Sequence, residues 1–319
     1  MSAAQHVENF LQLLIAGLLT GAIYGLMCVG LSMIFGVMRV INFAQGEFMM
    51  LGMYFAYYCF GFIGAYVFFG DFVAPFLAAL LAGPVVFLLG MLLHRSLVSQ
   101  VTGISSASLD AEGHYAQLIL TLGISLMLSN GGLVVFGSAP VSISTPLSST
   151  PWVVGPLYGE DILLFINQGQ TIGAIIAIGV VTALTLLMGR SRLGRSLRAA
   201  ADNPRAAVYM GIDVDRAYRI AFGLGVGITA IGGGLLASSY PFQPYVGIEY
   251  VIVMYAGVVL GGLGSLHGAF LGGLTIGVIQ QVSALFLPNQ LQNTAIFVCF
   301  LLILLLKPDG LFGRAARQA

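Results

Sequence analysis

Few side chains in this sequence could do covalent chemistry, and their spacing excludes most forms of it. Lys307, the only lysine, follows the apolar run LLILLL with no glycine-rich loop before it. No GxxxxGK[ST] therefore exists to cradle a nucleotide phosphate. His6, His94, His114 and His267 lie far apart, and none belongs to an HExxH. His267, inside GSLHG, reads first as a polar residue at a helix break and second as a contact for a solute or a gate. Cys28, Cys59 and Cys299 each sit in an apolar run, which suits small buried hydrophobes and offers neither a disulfide framework nor a metal site. No acid–base pair or nucleophile elbow emerges. The expectation is a non-enzymatic chain that binds no cofactor or metal; any ATP and Mg²⁺ would sit on a separate subunit.

Two polar clusters interrupt apolar sequence. The first is Asn42, Gln45, Gly46 and Glu47 within INFAQGE; the second is Gln243, Glu249 and Tyr250 around PFQPYVGIEY. Polar groups at membrane depth are costly unless they are paired or face a polar cavity. The clusters read either as the lining of a path (or an intersubunit network) or as residues at the water interface. Glu47 could equally cap the start of the helix that follows. Gln117 and Asn130 are candidates for interhelical hydrogen bonds.

A third feature is a basic island, RSRLGRSLRAAADNPRAAVYMGIDVDRAYR at 190–219, which holds seven of the twelve basic residues. Within it Asn203 is a natural N-cap, Pro204 suits the first helical position, and Gly211 is a natural stop. The segment 203–210 is therefore expected to form a short helix of about two turns carrying Arg205, Ala206 and Ala207, with Arg198 and Asp202 just before it. Such a helix can seat in a groove on a partner and carry motion into a membrane. Arginine content alone would also permit a solvated loop.

The elements that must hold these groups follow from composition. Hydrophobic residues make up 58% of the 319, charged residues 8%, and mean hydropathy is +0.98. That is too little charge for a water-exposed surface. The apolar runs suit helices of about 20 residues and lack the alternation of a membrane barrel. Forty-three glycines, mostly inside those runs, permit close helix approach in lipid; Gly17, Gly21, Gly25 and Cys28 form a small-residue stripe on the first helix. A net charge of zero argues against a nucleic-acid partner. No cleavable signal segment is expected at the start.

Spans are expected at about 10–37, 52–69, 72–93, 115–137, 163–188, 218–239, 248–264, 265–287 and 291–306, with aqueous loops at 99–114 and at the proline-rich 138–162. Placing Arg39, Arg95, the 190–217 loop, Lys307, Arg314 and Arg317 on one side follows the positive-inside rule. This gives an all-α polytopic membrane protein forming one membrane domain over 1–319, with about nine crossings (eight to ten). The 190–217 loop and the C-terminus then lie in the cytoplasm and the N-terminus outside. The uncertain stretch is 241–290, where GGLGSLHGAFLGG reads as a re-entrant or broken helix or as a loop between spans.

The string LGRSLRAAADNPRAAVYMGIDVDR resembles the coupling loop of branched-chain amino acid permeases of the LivH/LivM type, a branch of the ATP-binding-cassette (ABC) importers. Arg205 stands where the EAA-type loop of such importers usually has glutamate. Blocks at 25–54, 121–138, 258–277 and 307–313 are similar to other parts of that family, and INFAQGE looks closer to the LivH-like half. The resemblance implies a multi-pass subunit of the inner (cytoplasmic) membrane. Its partners would be two cytoplasmic ABC ATPase subunits, a sister LivM-like permease and a periplasmic or lipid-tethered solute-binding protein. It also implies that Arg198, Asp202, Asn203, Pro204, Arg205, Ala206, Ala207 and Gly211 couple to the ATPase. The path would be lined by the block at 42–52 and by Gly261, Gly262, Gly264 and His267. The solute would be leucine, isoleucine or valine, with urea, short amides or other small organic acids as the alternative. An ATP-independent transporter or channel and a structural scaffold are readings of other classes.

Overall fold

The computed structural model describes residues 3–66, 70–102, 111–157, 162–288, 291–307 and 310. Helices dominate: α1 (Ala3–Met38), α2 (Gln45–Tyr66), α3 (Gly70–Leu93), a π-helical turn (His94–Val98), α4 (Ser99–Thr102), α5 (Ala111–Phe136) and α6 (Pro146–Ser149). A hairpin follows, β1 (Pro151–Leu157) and β2 (Ile162–Asn167). The remainder is α7 (Gln168–Arg190), α8 (Arg192–Asp202), α9 (Pro204–Tyr209), α10 (Val214–Leu236), α11 (Val246–Gly261), α12 (Leu266–Ser283) and α13 (Gln292–Leu306).

Among the described residues, five helical segments are long and apolar enough to cross a membrane: Gln5–Met38, Phe72–Val101, Tyr115–Phe136, Gln168–Arg190 and Val214–Leu236. This is fewer than the eight to ten expected, for physical reasons. Helices α2 and α12, of 22 and 18 residues with Gln45, Glu47, Gln280 and Gln281 among them, fall outside this set. The other two, α11 and α13, have 16 and 15 residues. At 1.5 Å per residue neither reaches the roughly 30 Å of a hydrocarbon core.

Two further expectations are revised. The fifth span does not begin at 163: residues 162–167 are strand β2, paired antiparallel with β1 so that Pro151 faces Asn167 and Trp152 faces Ile166. Helix α7 starts only at Gln168, where the Asn167 side chain accepts from the Gln170 N–H at 3.0 Å. Gln12 of α1 grips the backbone of Phe165 through both its side-chain amide oxygen and nitrogen. The hairpin therefore lies beside the N-terminal part of α1. Within GGLGSLHGAFLGG, residues 262–265 form a tight turn and α12 begins at Leu266. Gly262 and Gly264 take positive φ of 96° and 81°, a conformation that favours glycine. Ser265 then caps α12 by accepting from Gly268 N–H at 3.2 Å.

The core is built around α1 and α10, with α12, α3 and α2 packed on them. Close approach is set by facing glycines. A methyl group added at Gly21 would lie 2.6 Å from the Leu274 carbonyl oxygen, and one at Gly277 would lie 2.3 Å from Gly21 Cα. Gly25 and Gly273 meet in the same way. The stripe at 17, 21 and 25 is thus the α1–α12 seam, and Cys28 continues it onto α11 by donating to the Met254 carbonyl at 3.6 Å. Around the perimeter α3 and α5 expose apolar side chains such as Leu88, Leu92, Ile119 and Val134, as helices bordered by lipid do.

Candidate functional site

The first candidate region is built at the start of α2. After α1 ends, Arg39 adopts positive φ of 55° and the chain turns back. Asn42 then organises the turn: its Oδ1 accepts from Ala44 N–H at 3.1 Å and its Nδ2 donates to Gln45 Oε1 at 2.9 Å. Gln45 Nε2 donates to Thr229 Oγ1 at 2.6 Å and to the Gly225 carbonyl at 3.3 Å. Residues 225–229 are the middle of α10, so α2 begins level with the centre of its neighbour. All these groups are fully buried, and satisfied buried networks of this kind fix one arrangement of the backbone. The sequence drew attention to Asn42 and Gln45. It missed Thr229, an isolated hydroxyl that does not stand out in a glycine-rich helix.

Gly46 and Glu47 complete the region. Gly46 lies against Gly247 in the first turn of α11, where an added methyl would sit 1.9 Å from the Gly247 carbonyl oxygen. The starts of α2 and α11 therefore meet. Glu47 is 1% exposed; Ser125 of α5 donates to its Oε1 at 3.4 Å. Its Oε2 has no hydrogen-bond partner among the described residues, yet it lies beside Gly247, where an added methyl would be 2.7 Å away. A carboxylate next to two helix N-termini gains from both positive dipole ends. Asn42 and Gln45 thus spend their polar groups inside the protein, whereas Glu47 has one buried oxygen without a hydrogen-bond partner among the described residues.

The other polar cluster is elsewhere. Gln243 and Glu249 are exposed and Tyr250 is half-buried; Glu249 borders a separate cavity with Asn293, Ile296 and Phe297. Gly261 packs against Gly268, the two backbones so close that either added methyl would lie 2.0–2.1 Å from the opposite carbonyl oxygen. Gly262 is covered by Gly310, Gly264 lies against Gly36, and His267 is exposed. Gly261 ends α11, Gly262 and Gly264 lie in the turn that follows, and His267 is in the first turn of α12.

The second region is the basic island, which folds as three short-linked helices rather than one. Ser191 caps α8 by accepting from Gly194 N–H at 2.9 Å. Asn203 caps α9 by accepting from Ala206 N–H at 3.0 Å, and Asp213 caps α10 by accepting from Arg216 N–H at 2.9 Å. Pro204 holds the first position of α9. At its end Gly211 N–H donates to the Val208 carbonyl and Ile212 N–H to the Ala207 carbonyl, both at 2.9 Å, with Gly211 at φ 78°. This paired closure is the glycine-dependent stop expected from Gly211.

The sequence missed α8. Its Gly194, Leu197 and Ala200 are buried while Arg192, Arg195 and Arg198 are exposed. Arg198 donates to the Met188 carbonyl at the end of α7. On α9, Ala207 is buried, Arg205 and Ala206 are exposed, and Asp202 and Asn203 are exposed beside them. The sequence also missed the tip. Tyr209 and Met210 are 88% and 82% exposed and Val208 is 45% exposed. Behind this tip, Arg192, Ser196, Gly211, Asp213 and Arg216 border a groove of about 390 Å³ between α8 and α10.

Comparison with known proteins converges on one family. Residues 13–306 match the family described as "Branched-chain amino acid transport system / permease component". The high-affinity branched-chain amino acid transport system permease protein LivH of Escherichia coli (strain K12) is 30% identical over 306 residues, covering 96% of each chain. BraD, which carries the same description in Pseudomonas aeruginosa, is 30% identical over 312 residues and 97% of each chain. PsaBC from Streptococcus pneumoniae, solved in complex with a Fab, is similar with a TM-score of 0.44 at 16% identity, covering 94% of this chain and 92% of that one. With a family match over nearly its whole length and relatives of this coverage, the chain belongs to the permease components of branched-chain amino acid ABC importers.

Proposed function

We propose that this chain forms one half of the translocation path for leucine, isoleucine and valine, and that α9 is the handle by which a cytoplasmic ATPase drives it. The observation that carries this reading is the exposed apolar tip of α9. Three capped helices hold Val208, Tyr209 and Met210 away from the core, with arginines around them. Apolar side chains displayed on a rigid polar loop suit insertion into a pocket on a partner, where a few buried anchors supply most of the binding energy.

In this reading the chain is a multi-pass protein of the cytoplasmic membrane, with α8, α9 and the C-terminus inside. It pairs with a sister LivM-like permease on two ATPase subunits, which bind the ATP and Mg²⁺, and receives solute from a periplasmic or lipid-tethered binding protein. Nucleotide closure of the ATPases shifts α9 and opens the path outward; hydrolysis resets it. Glu47, at the junction of α2 and α11, offers its free oxygen to the ammonium group of the passing amino acid. A charge-assisted contact of this kind is strongest where water is excluded.

The test is binding of the partner ATPase to the purified permease. Tyr209→Ala and Met210→Asp are expected to weaken that binding on the order of thirty-fold each, and to abolish transport-linked ATP hydrolysis in vesicles while membrane insertion is unchanged. Wild-type ATPase binding by both variants would overturn the assignment of α9.

A further inference from the structure

A groove between α3 and α10, adjoining the one behind the α9 tip at Leu193, Arg216 and Ile220, has chemistry that the transport reading does not use. Arg95, in the π-helical turn after α3, and Arg216 and Arg219 of α10 converge on a cavity of about 470 Å³. Phe87, Leu88, Met91 and Leu92 form its other wall, and no carboxylate is among its lining residues. The groove continues along the same two helices into a second cavity of about 290 Å³, bordered by Gly83, Pro84, Phe87, Leu224, Gly227 and Ile231. That part is wholly apolar, and Phe87 borders both. Gly83 and Gly227 let α3 and α10 approach closely beside it: an added methyl at Gly83 would meet Ile231 at 2.7 Å, and one at Gly227 would meet the Gly83 carbonyl oxygen at 2.9 Å.

The groove therefore has a cationic end and an oily length. On α3 the residues Leu81, Val85, Leu88 and Leu92 are 37% or more exposed and fall on one helical face at spacings of four, three and four. The oily length thus opens toward the surface that a membrane-spanning helix turns to lipid. Arg95 and Arg216 are exposed and Arg219 is half-buried, so the three guanidinium groups can turn onto one anion at the mouth of the groove, and a guanidinium fork suits a phosphate.

We propose that this groove binds an anionic phospholipid, its phosphodiester on Arg95, Arg216 and Arg219 and one acyl chain along Phe87, Pro84 and Gly83. A free phosphate would satisfy the arginines and leave the apolar cavity without a counterpart, whereas a phospholipid matches both ends. The site does not include Glu47 or the exposed α9 tip; it shares Arg216 with the groove behind that tip, so the variants below leave Arg216 in place. Basic pockets between membrane helices are a known means of holding acidic headgroups, each arginine near the surface contributing roughly a five-fold gain in affinity.

The test is native mass spectrometry of the detergent-purified complex titrated with dioleoylphosphatidylglycerol, with dioleoylphosphatidylcholine and water-soluble glycerol 3-phosphate as comparison probes. The expected result is saturable retention of phosphatidylglycerol over phosphatidylcholine, weakened about five-fold in Arg95→Gln and about twenty-five-fold in the Arg95→Gln/Arg219→Gln double variant. Leu224→Trp, which fills the apolar cavity and leaves the arginines, is expected to weaken phosphatidylglycerol retention while sparing binding of the partner ATPase. If the double variant does not assemble, the single variant and Leu224→Trp decide the matter. Equal retention of the two lipids, unchanged retention in those variants, or equal occupancy by glycerol 3-phosphate would overturn the proposal.

Discussion

Glu47 is the one fully buried carboxylate among the described residues. Its carboxyl group lies between two helix starts and beside the Ser125 hydroxyl, with Oε2 buried and without a hydrogen-bond partner among the described residues. Removing the charge while keeping the shape isolates its role. Glu47→Gln is expected to lower kcat/KM for amino-acid uptake by roughly ten- to a hundred-fold, the range lost with a charge-assisted hydrogen bond. The amount of assembled complex and its basal ATP hydrolysis should stay as in the wild type. Normal uptake in proteoliposomes would reduce Glu47 to a capping residue of α2. Residue identity alone marked this side chain in the sequence, because a carboxylate between apolar runs is conspicuous. It gave no means of separating Glu47 from Asn42 and Gln45. Only the hydrogen-bond partners do that, and they come from α10, some 180 residues away.

At the scale of elements, glycine spacing was the most informative signal. Gly17, Gly21 and Gly25 share one face of α1 because 3.6 residues make a turn, and that face meets Gly273 and Gly277 of α12. Gly21→Leu is expected to push the two helices apart and cost about 1–3 kcal/mol or more, read as a lower melting temperature and a smaller folded yield from membranes. An unchanged melting temperature would show that the seam has slack.

Capping was legible too, since Asn203, Pro204 and Gly211 act on their immediate neighbours. What escaped was set by distant contacts. The arginines of α8 disguised an amphipathic helix whose buried face is only Gly194, Leu197 and Ala200. Prolines and serines obscured the β1–β2 hairpin, held in part by Gln12 from the other end of the chain. The turn at 262–265 was ambiguous because glycine permits both a break and a dense seam, and here it makes both.

For the whole molecule, the positions of charge and of exposed apolar surface agree. The basic residues Arg39, Arg95, the island and Lys307 follow or precede helix ends, whereas the hairpin lies beside the N-terminal part of α1. A cysteine placed at the α9 tip tests the proposed orientation. In a background with Cys28, Cys59 and Cys299 replaced by alanine, Tyr209→Cys is expected to react with a membrane-impermeant maleimide in inverted vesicles and to stay unlabelled in intact cells. Labelling from outside would reverse the orientation and remove α9 from the ATPase side.

Helix α10 leaves the α9 stop through Ile212 and its Asp213 cap and runs unbroken to Leu236. Thr229, which receives the Gln45 side chain, lies 15 residues beyond Val214, or about 22 Å along the axis. An α-helix is stiff along its length, so under the proposed coupling role of α9, α10 would act as a connecting rod from that short helix to the α2–α11 junction partway along it. A shove of one ångström at Tyr209 need not be relayed through a chain of loose contacts; the carboxylate of Glu47 would feel it as a change in the distance between the two helix starts that flank it.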